Sequence, residues 1–449
     1  MIMIVFQKMT CIFSPKTAHN QETTSINPQT MKSLYLTTIL ILSILFPFAA
    51  ASAGGTAPQP GQAAGADSLE VSLLTCYPGT EIYELYGHSA IRIRNAEFDS
   101  VWNYGVFDFN APNFAWRFAM GKPEYCLAAT TTGNFLYPYR HAGRRVDESR
   151  LQLSQAEASR LLQALRTNAL PQNAAYTYNY LFDNCSTRIL DRIENAAGDS
   201  LIIATAPKYR SFRHAMKHYH RNSKWYELGV DVALGSDIDK PLTARQQVFI
   251  PLELMRVLDE SKFADGRKVV LDRTVLIDNP AESKATSTPA YLSPLAVNTL
   301  LAVIFFIICI YFLYTKRICK TIYAVFYALI GIGGLLLAFL VFVSDNAATD
   351  TNYLLMWLNP LAILVPVFIW FKKLSTRWIV YAYLAGNALN IILFFIIFPI
   401  FNRSINYSTI PISFIDLMLS LTYVVVFFRN IVSGNKPDEN NMLKNNAKK

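Results

Sequence analysis

Five long apolar stretches crowd the last third of the chain, at residues 294–314, 321–343, 354–371, 378–400 and 410–428. A bilayer core takes roughly 17–25 helical residues to cross, so each is long enough to span. The third is the shortest and carries Pro360 and Pro366. Such breaks are tolerated in a bundle when neighbouring helices re-satisfy the freed backbone. Pro411 falls at the start of the fifth, where a missing N–H costs little. A chain with this segment must fold in two solvents. Residues up to about 290 read instead as a mixed, water-soluble domain. The overall 52% hydrophobic and 13% aromatic content fits such a hybrid.

Basic residues orient the spans. Lys316, Arg317 and Lys320 fill the first short loop, and Lys372, Lys373 and Arg377 fill the third. Arg429 and the tail lysines Lys436, Lys444, Lys448 and Lys449 follow the last span. The second loop, 344–353, has no Lys or Arg, and the fourth has only Arg403. The positive-inside rule makes the charged loops and the C-terminus cytoplasmic. Five spans then put the N-terminal domain outside. The net charge of +9 thus reports topology and not a nucleic-acid partner.

A leader agrees with that orientation. Residues 34–48 are apolar, follow Met31 and Lys32, and precede Ala51-Ser52-Ala53. That is the pattern of a secretory signal peptide cut after Ala53. The expected layout is an N-terminal extension before the true start (1–30), a signal peptide (31–53), a Gly/Pro/Ala-rich tether (54–68), an exported domain (69–285), a five-span membrane domain (286–430) and a cytoplasmic tail (431–449).

Three of the six cysteines, Cys76, Cys126 and Cys185, fall in the exported domain. An odd count in an oxidising space suggests one pair and one free thiol. A Cys76–Cys126 disulfide is one possible pairing, which would leave Cys185 free.

Local patterns place the chemistry. Residues 89–94 (SAIRIR) alternate as a strand, and 101–106 (VWNYGV) read as its partner. Residues 154–169 read as a helix with a Ser154/Glu157 capping box. A second helix starts at Cys185, with Asp183 and Asn184 as cap candidates. A cysteine at a helix N-terminus faces unpaired N–H groups and the positive end of the macrodipole, and both favour thiolate. His88, in Tyr86-Gly87-His88-Ser89, is placed to take and return its proton. Alone, such a histidine is usually a polar edge residue, and such a cysteine a small buried hydrophobe. The odd thiol, the polar residues around it and the glycine before the histidine favour a reactive pair. Asn103, on the next strand, is the candidate to orient the imidazole, as against a merely exposed polar residue. The Cys185 N–H and the side chain of Asn184 or Tyr86 are candidate oxyanion donors. His214, His218 and His220 have ligand-like spacing, but no nearby carboxylate or thiol completes a metal site. A basic surface helix near anionic headgroups is the preferred reading. No cofactor or metal is expected.

In the order His-strand, then Asn-Cys-helix, the chain resembles circularly permuted papain-like folds, such as the lecithin retinol acyltransferase group, relatives of NlpC-type peptidases. The strings YGHSAIRI, WNYGVFDF, TYNYLFDNCSTRILD, WYELGVDVALGSD and NYLLMWLNPL, with five spans, resemble the Lnb-type lipoprotein N-acyltransferases of Bacteroidota. The resemblance covers roughly residues 69–430. It implies an α+β permuted papain-like (NlpC-related) periplasmic domain before an all-α five-helix transmembrane domain in the inner membrane. It implies that an acyl chain moves from a phospholipid donor to Cys185 as a thioester, with His88 as base. The chain then passes to the α-amino group of a diacylglyceryl-cysteine lipoprotein. Many members carry a histidine early in the second-loop motif. Here the loop reads Ser344-Asp345-Asn346-Ala347, which puts a catalytic role for it in question. With lipid substrates, Phe107, Phe109, Phe114, Trp116 and Phe118 become candidates to admit acyl chains, against an ordinary core role. The alternatives are a membrane-anchored papain-like peptidase or amidase acting on cell-wall peptides, and a non-enzymatic membrane assembly or sensor protein. Five spans are excessive for an anchor, which weakens the first. The Cys–His pair weakens the second.

Overall fold

A computed structural model describes residues 68–108, 110–198, 200–203, 206–278, 287–398 and 404–432. The expected leader, the tether up to residue 67 and the tail from residue 433 lie outside the described residues, as does Phe109.

Seven strands form one antiparallel sheet: β1 (Glu70–Cys76), β2 (His88–Arg94), β3 (Asp99–Val106), β4 (Glu124–Thr131), β5 (Val146–Leu151), β6 (Ala175–Thr177) and β9 (Val270–Ile277). Their spatial order is β6-β4-β3-β2-β1-β5-β9. Two short strands, β7 (Leu201–Ile202) and β8 (Lys262–Phe263), pair separately. The first three strands follow one another as a meander, the simplest consequence of the alternation read in 89–106.

Side-chain alternation in β1 and β2 feeds two apolar layers. Val71, Leu73, Ile91 and Ile93 pack under helices α3 (Gln155–Asn168), α4 (Cys185–Ala197) and α7 (Pro251–Glu260). Leu74, Cys76 and Ala90 pack with Phe135 and Leu136 of α2 (Thr132–His141). Both faces are therefore covered, so the alternating arginine Arg92 is buried too. Its guanidinium meets Asp99 at 2.5 Å and Glu148 at 3.0 Å, the paired state that a buried charge requires.

The possible Cys76–Cys126 disulfide does not form. Both thiols are free. Cys76 lies on β1 and Cys126 on β4, three strand spacings apart, or roughly 14 Å, whereas bridged Cα atoms lie within about 7 Å.

The HAMKHYH segment is a surface helix on one face only: His214 and His218 are exposed. It forms α5 (Phe212–His220), whose Ser211 cap accepts from the His214 N–H. His220 is buried. The other face of α5 packs into an aromatic cluster with Tyr86, Tyr209 and Tyr226.

Among the described residues, four helices are long and apolar enough to cross a membrane: α8 (Pro294–Thr315), α9 (Lys320–Phe342), α10 (Leu374–Ile397) and α11 (Ile410–Val432, with a leading turn from Tyr407). The third expected span is not one long helix. It is broken into turns at Tyr353–Met356 and Pro360–Ile363 and a short helix, Leu364–Phe368. The freed backbone is re-satisfied from a neighbour, Asn390 of α10 donating to the Met356 carbonyl. The segment starts at Asn352, bonded to the sheet-rich domain at the Val232 carbonyl. It ends near Lys372, close enough to Lys320 at the far end of α9 to interact with it.

Between domain and helices, α6 (Lys224–Ala233) and the turn after it form a seat. Arg213 is buried there between Asp231 at 2.7 Å and Asp239 at 2.9 Å, and donates to the Leu234 and Gly235 carbonyls. The loop after α9 docks on that turn. The Gly235 N–H donates to the Ala348 carbonyl at 2.8 Å, and Asn406 reaches Asp231 at 2.9 Å.

Candidate active site

Cys185 is the first residue of α4. Asn184, the residue before it, explains why the helix starts there. Its side-chain Oδ1 accepts from the Ser186 and Thr187 N–H groups, and Thr187 Oγ1 accepts the Asn184 N–H in return. The cap leaves the thiol at the positive end of the helix.

His88 opens β2. Its Nε2 lies 2.5 Å from Asn103 Oδ1 on β3, and the imidazole is close enough to Cys185 for the two charges to interact. The three side chains predicted from the sequence to work together are therefore brought together. Burial alone would raise the Cys185 pKa. The neighbouring His88 charge and the Ser89 N–H outweigh burial, and the thiol falls below its ordinary value. Burial alone would lower the His88 pKa, but Cys185 and Asn103 outweigh it and raise the imidazole above its ordinary value. The two shifts have opposite sign because each charge stabilises the other.

The other two thiols of this domain move the opposite way. Burial pushes Cys76 up to about 12 and also raises Cys126. A buried neutral thiol is unreactive, so the shifts single out Cys185.

Two expected oxyanion donors are placed otherwise. The Asn184 side chain is fully used: beyond its two accepted bonds, its amide donates to the Tyr180 and Phe249 carbonyls at 2.9 and 2.8 Å. An asparagine has no donor beyond those two N–H groups. Tyr86 points into the aromatic cluster, where its hydroxyl is bonded to His220 Nε2 at 2.6 Å. Of the three candidates, the Cys185 N–H is the one outside the Asn184 cap and the Tyr86 cluster.

Gly105, at a bulge in β3, was not singled out in the sequence. Its φ is +87°, and an added Cβ would lie 3.7 Å from Cys185 Cβ, 3.8 Å from His88 Cε1 and 3.6 Å from Tyr178. The glycine permits this backbone and keeps the space beside the sulfur open. Tyr176 and Tyr178 also lie close enough to sense the Cys185 charge. The alternating tyrosines of Tyr176-Thr177-Tyr178-Asn179-Tyr180, before the cysteine, were the available signal. Arg144 was likewise missed. It is buried near His88, with its guanidinium on Glu84 and the Tyr77 carbonyl.

A thiol at a helix N-terminus beside an imidazole is an arrangement that nucleophilic thiol chemistry can use. Here it sits in a sheet-rich domain ahead of membrane-spanning helices. The family described as the Lnb N-terminal periplasmic domain matches residues 58–228, and the Lnb transmembrane domain matches residues 285–430. The chain is an Lnb-type protein, a membrane protein of lipoprotein maturation with a periplasmic domain. Lipids and lipoproteins are the substrates that membership implies. No curated protein and no solved structure matches it.

Proposed function

We propose that the protein is a cysteine-dependent lipoprotein N-acyltransferase of the inner membrane. The observation that carries this reading is His88, held by Asn103 and set beside Cys185 at the Gly105 opening. In outline, the domain is a permuted papain-like fold, with the histidine strand preceding the cysteine helix. The short broken segment between α9 and α10 makes the third of five crossings and leaves the C-terminus cytoplasmic.

The Cys185 thiolate attacks the ester carbonyl of a phospholipid. The C–S bond forms, and the tetrahedral oxyanion takes the Cys185 N–H. The C–O ester bond then breaks, and the His88 imidazolium gives its proton to the departing lysophospholipid oxygen. A thioester remains. The α-amine of a diacylglyceryl-cysteine lipoprotein attacks it, His88 takes the amine proton, and the C–S bond breaks to give an amide and the thiolate. Asn103 holds the imidazole for both halves. No cofactor or metal enters this scheme.

Labelled phospholipid incubated with the purified full chain tests the reading. A hydroxylamine-labile acyl group on wild type, absent from Cys185→Ala, supports it. Release of peptides from cell-wall fragments without any acyl-enzyme would replace it with the peptidase reading. Full complementation in cells by Cys185→Ala would support a non-enzymatic role.

A further inference from the structure

We propose that a half-exposed row of aromatic rings guides one acyl chain of a glycerophospholipid from the bilayer to Cys185. The inference rests on the acyltransferase reading above and specifies where the donor binds.

The row begins at the membrane. Trp116, in the short helix α1 (Phe114–Ala119), has its ring 5.8 Å from that of Phe339, in the last turn of α9. The residues after α1 are fixed to the same end of α9. The Asp345 N–H donates to the Met120 carbonyl at 3.0 Å, and Lys122 pairs with Asp345 at 2.6 Å. The aromatic helix is thereby held at the bilayer surface, where tryptophan is favoured.

From α1 the rings lead inward. Phe118 and Phe114 stack at 6.3 Å, Phe114 and Phe107 at 5.7 Å and Tyr125 and Tyr178 at 4.2 Å, while Phe107 meets Tyr125 tilted at 4.7 Å. Tyr178 borders the open space at Gly105, whose other neighbours are Cys185 and His88. The ring-to-ring steps run without a break from Phe118 in α1 to Tyr178 beside the sulfur, and Trp116 of the same helix supplies the contact to α9.

The rings are not core. Trp116 is 60% and Phe118 38% exposed, and the other four are half-buried. Contiguous exposed apolar surface of this kind marks a binding site. Its chemistry is that of hydrocarbon, with each buried methylene contributing about 0.8 kcal/mol.

The reaction identifies the occupant. The transferred chain must bring its carbonyl carbon to the sulfur, so its hydrocarbon has to lie beside Cys185. The acceptor reacts through its amine, and its own chains can stay in the bilayer.

The test uses the full chain in nanodiscs with phosphatidylethanolamine carrying a photoreactive diazirine on one acyl chain. Label should fall on peptides containing residues 107–125 and 176–180, and unlabelled lipid should compete it away. In parallel, Trp116→Ser should raise the lipid KM for Cys185 acylation about tenfold, equivalent to ~1.4 kcal/mol. Trp116→Phe should restore it. Label confined to the spanning helices, or a Trp116→Ser defect in kcat alone, would overturn the route. Absence of acyl-enzyme on wild type would overturn the acyltransferase reading instead, and label on the row would still stand as a lipid site.

Discussion

Tyr86 and His220 are joined by a 2.6 Å hydrogen bond between the phenol and Nε2, 134 residues apart in sequence. Burial, only partly offset by the Asp231 charge, lowers the His220 pKa to about 4. An exposed histidine titrates near ~6.5, so between these values the folded state binds fewer protons than the unfolded one. This contribution to stability is complete above the unfolded pKa and is lost as pH falls through that window, by about 3 kcal/mol in total. Thermal unfolding of the full chain in detergent should show it as a drop in Tm from pH 6.5 to 4. His220→Gln keeps a hydrogen-bond partner for Tyr86 and should flatten the slope. An unchanged slope would remove His220 as its source.

Thiol reactivity should follow the opposed shifts of the site. Cys185 is held below its ordinary pKa chiefly because the His88 charge overcomes burial, while Cys76 is pushed up to about 12. Iodoacetamide should therefore modify Cys185 well below pH ~8.5, the value for a free thiol, and leave Cys76 untouched. The reactive state is lost as pH falls through the Cys185 pKa, and its imidazolium partner is lost as pH rises through the raised His88 pKa. The pH–rate profile of acylation should be bell-shaped. His88→Ala should move half-maximal alkylation to higher pH. Peptide mapping by mass spectrometry across pH would expose the error if Cys76 reacts first.

Gly105→Ala should damage the site and spare the fold. At φ +87° an alanine is strained by about 1–2 kcal/mol, and its methyl group would narrow the space between Cys185, His88 and Tyr178. We expect acylation to fall about a hundredfold, the equivalent of ~2.8 kcal/mol, with Tm lowered by only a few degrees. Wild-type acylation in this variant would show that the opening beside the sulfur is not used.

The parts of this architecture that obey a local rule were legible. The Ser154/Glu157 capping box, the helix start at Cys185 and four long apolar helices appear where their patterns place them. Strand β5 did not announce itself. Its sequence VDESRL reads as a charged loop, yet Asp147, Glu148 and Ser149 are all buried. Arg145 and Tyr77 take up Asp147, and Arg92 takes up Glu148. Arg145 is adjacent in the chain, but Tyr77 and Arg92 come from β1's end and from β2, so a window along β5 holds only part of the reason it is a strand. The site divides in the same way. His88, Asn103 and Cys185 carry their chemistry in their own motifs. Asn184 and Tyr86 were misassigned because their partners, the Phe249 carbonyl and His220, are supplied by distant segments.

Gly235 connects the site-bearing domain to the membrane helices. A Cβ there would lie 1.5 Å from the Asp350 carbonyl oxygen, a backbone contact that cannot give way as a side chain would. Its N–H meanwhile donates to Ala348, and Ser236 donates to Thr351 through both N–H and Oγ. Gly235→Ala must therefore separate the turn after α6 from the loop after α9. The sheet and α4 do not pass through this contact, so Cys185 should keep its low-pH alkylation. Protease cutting within residues 343–352 should rise, because the loop loses the hydrogen bonds that hold it. Acylation from phospholipid should fall while alkylation does not, since the thiol would remain reactive but no longer be held at the bilayer. Equal loss of both would mean that the substitution unfolds the periplasmic domain. Loss of neither would mean that the docked loop plays no part in presenting lipid to the thiol.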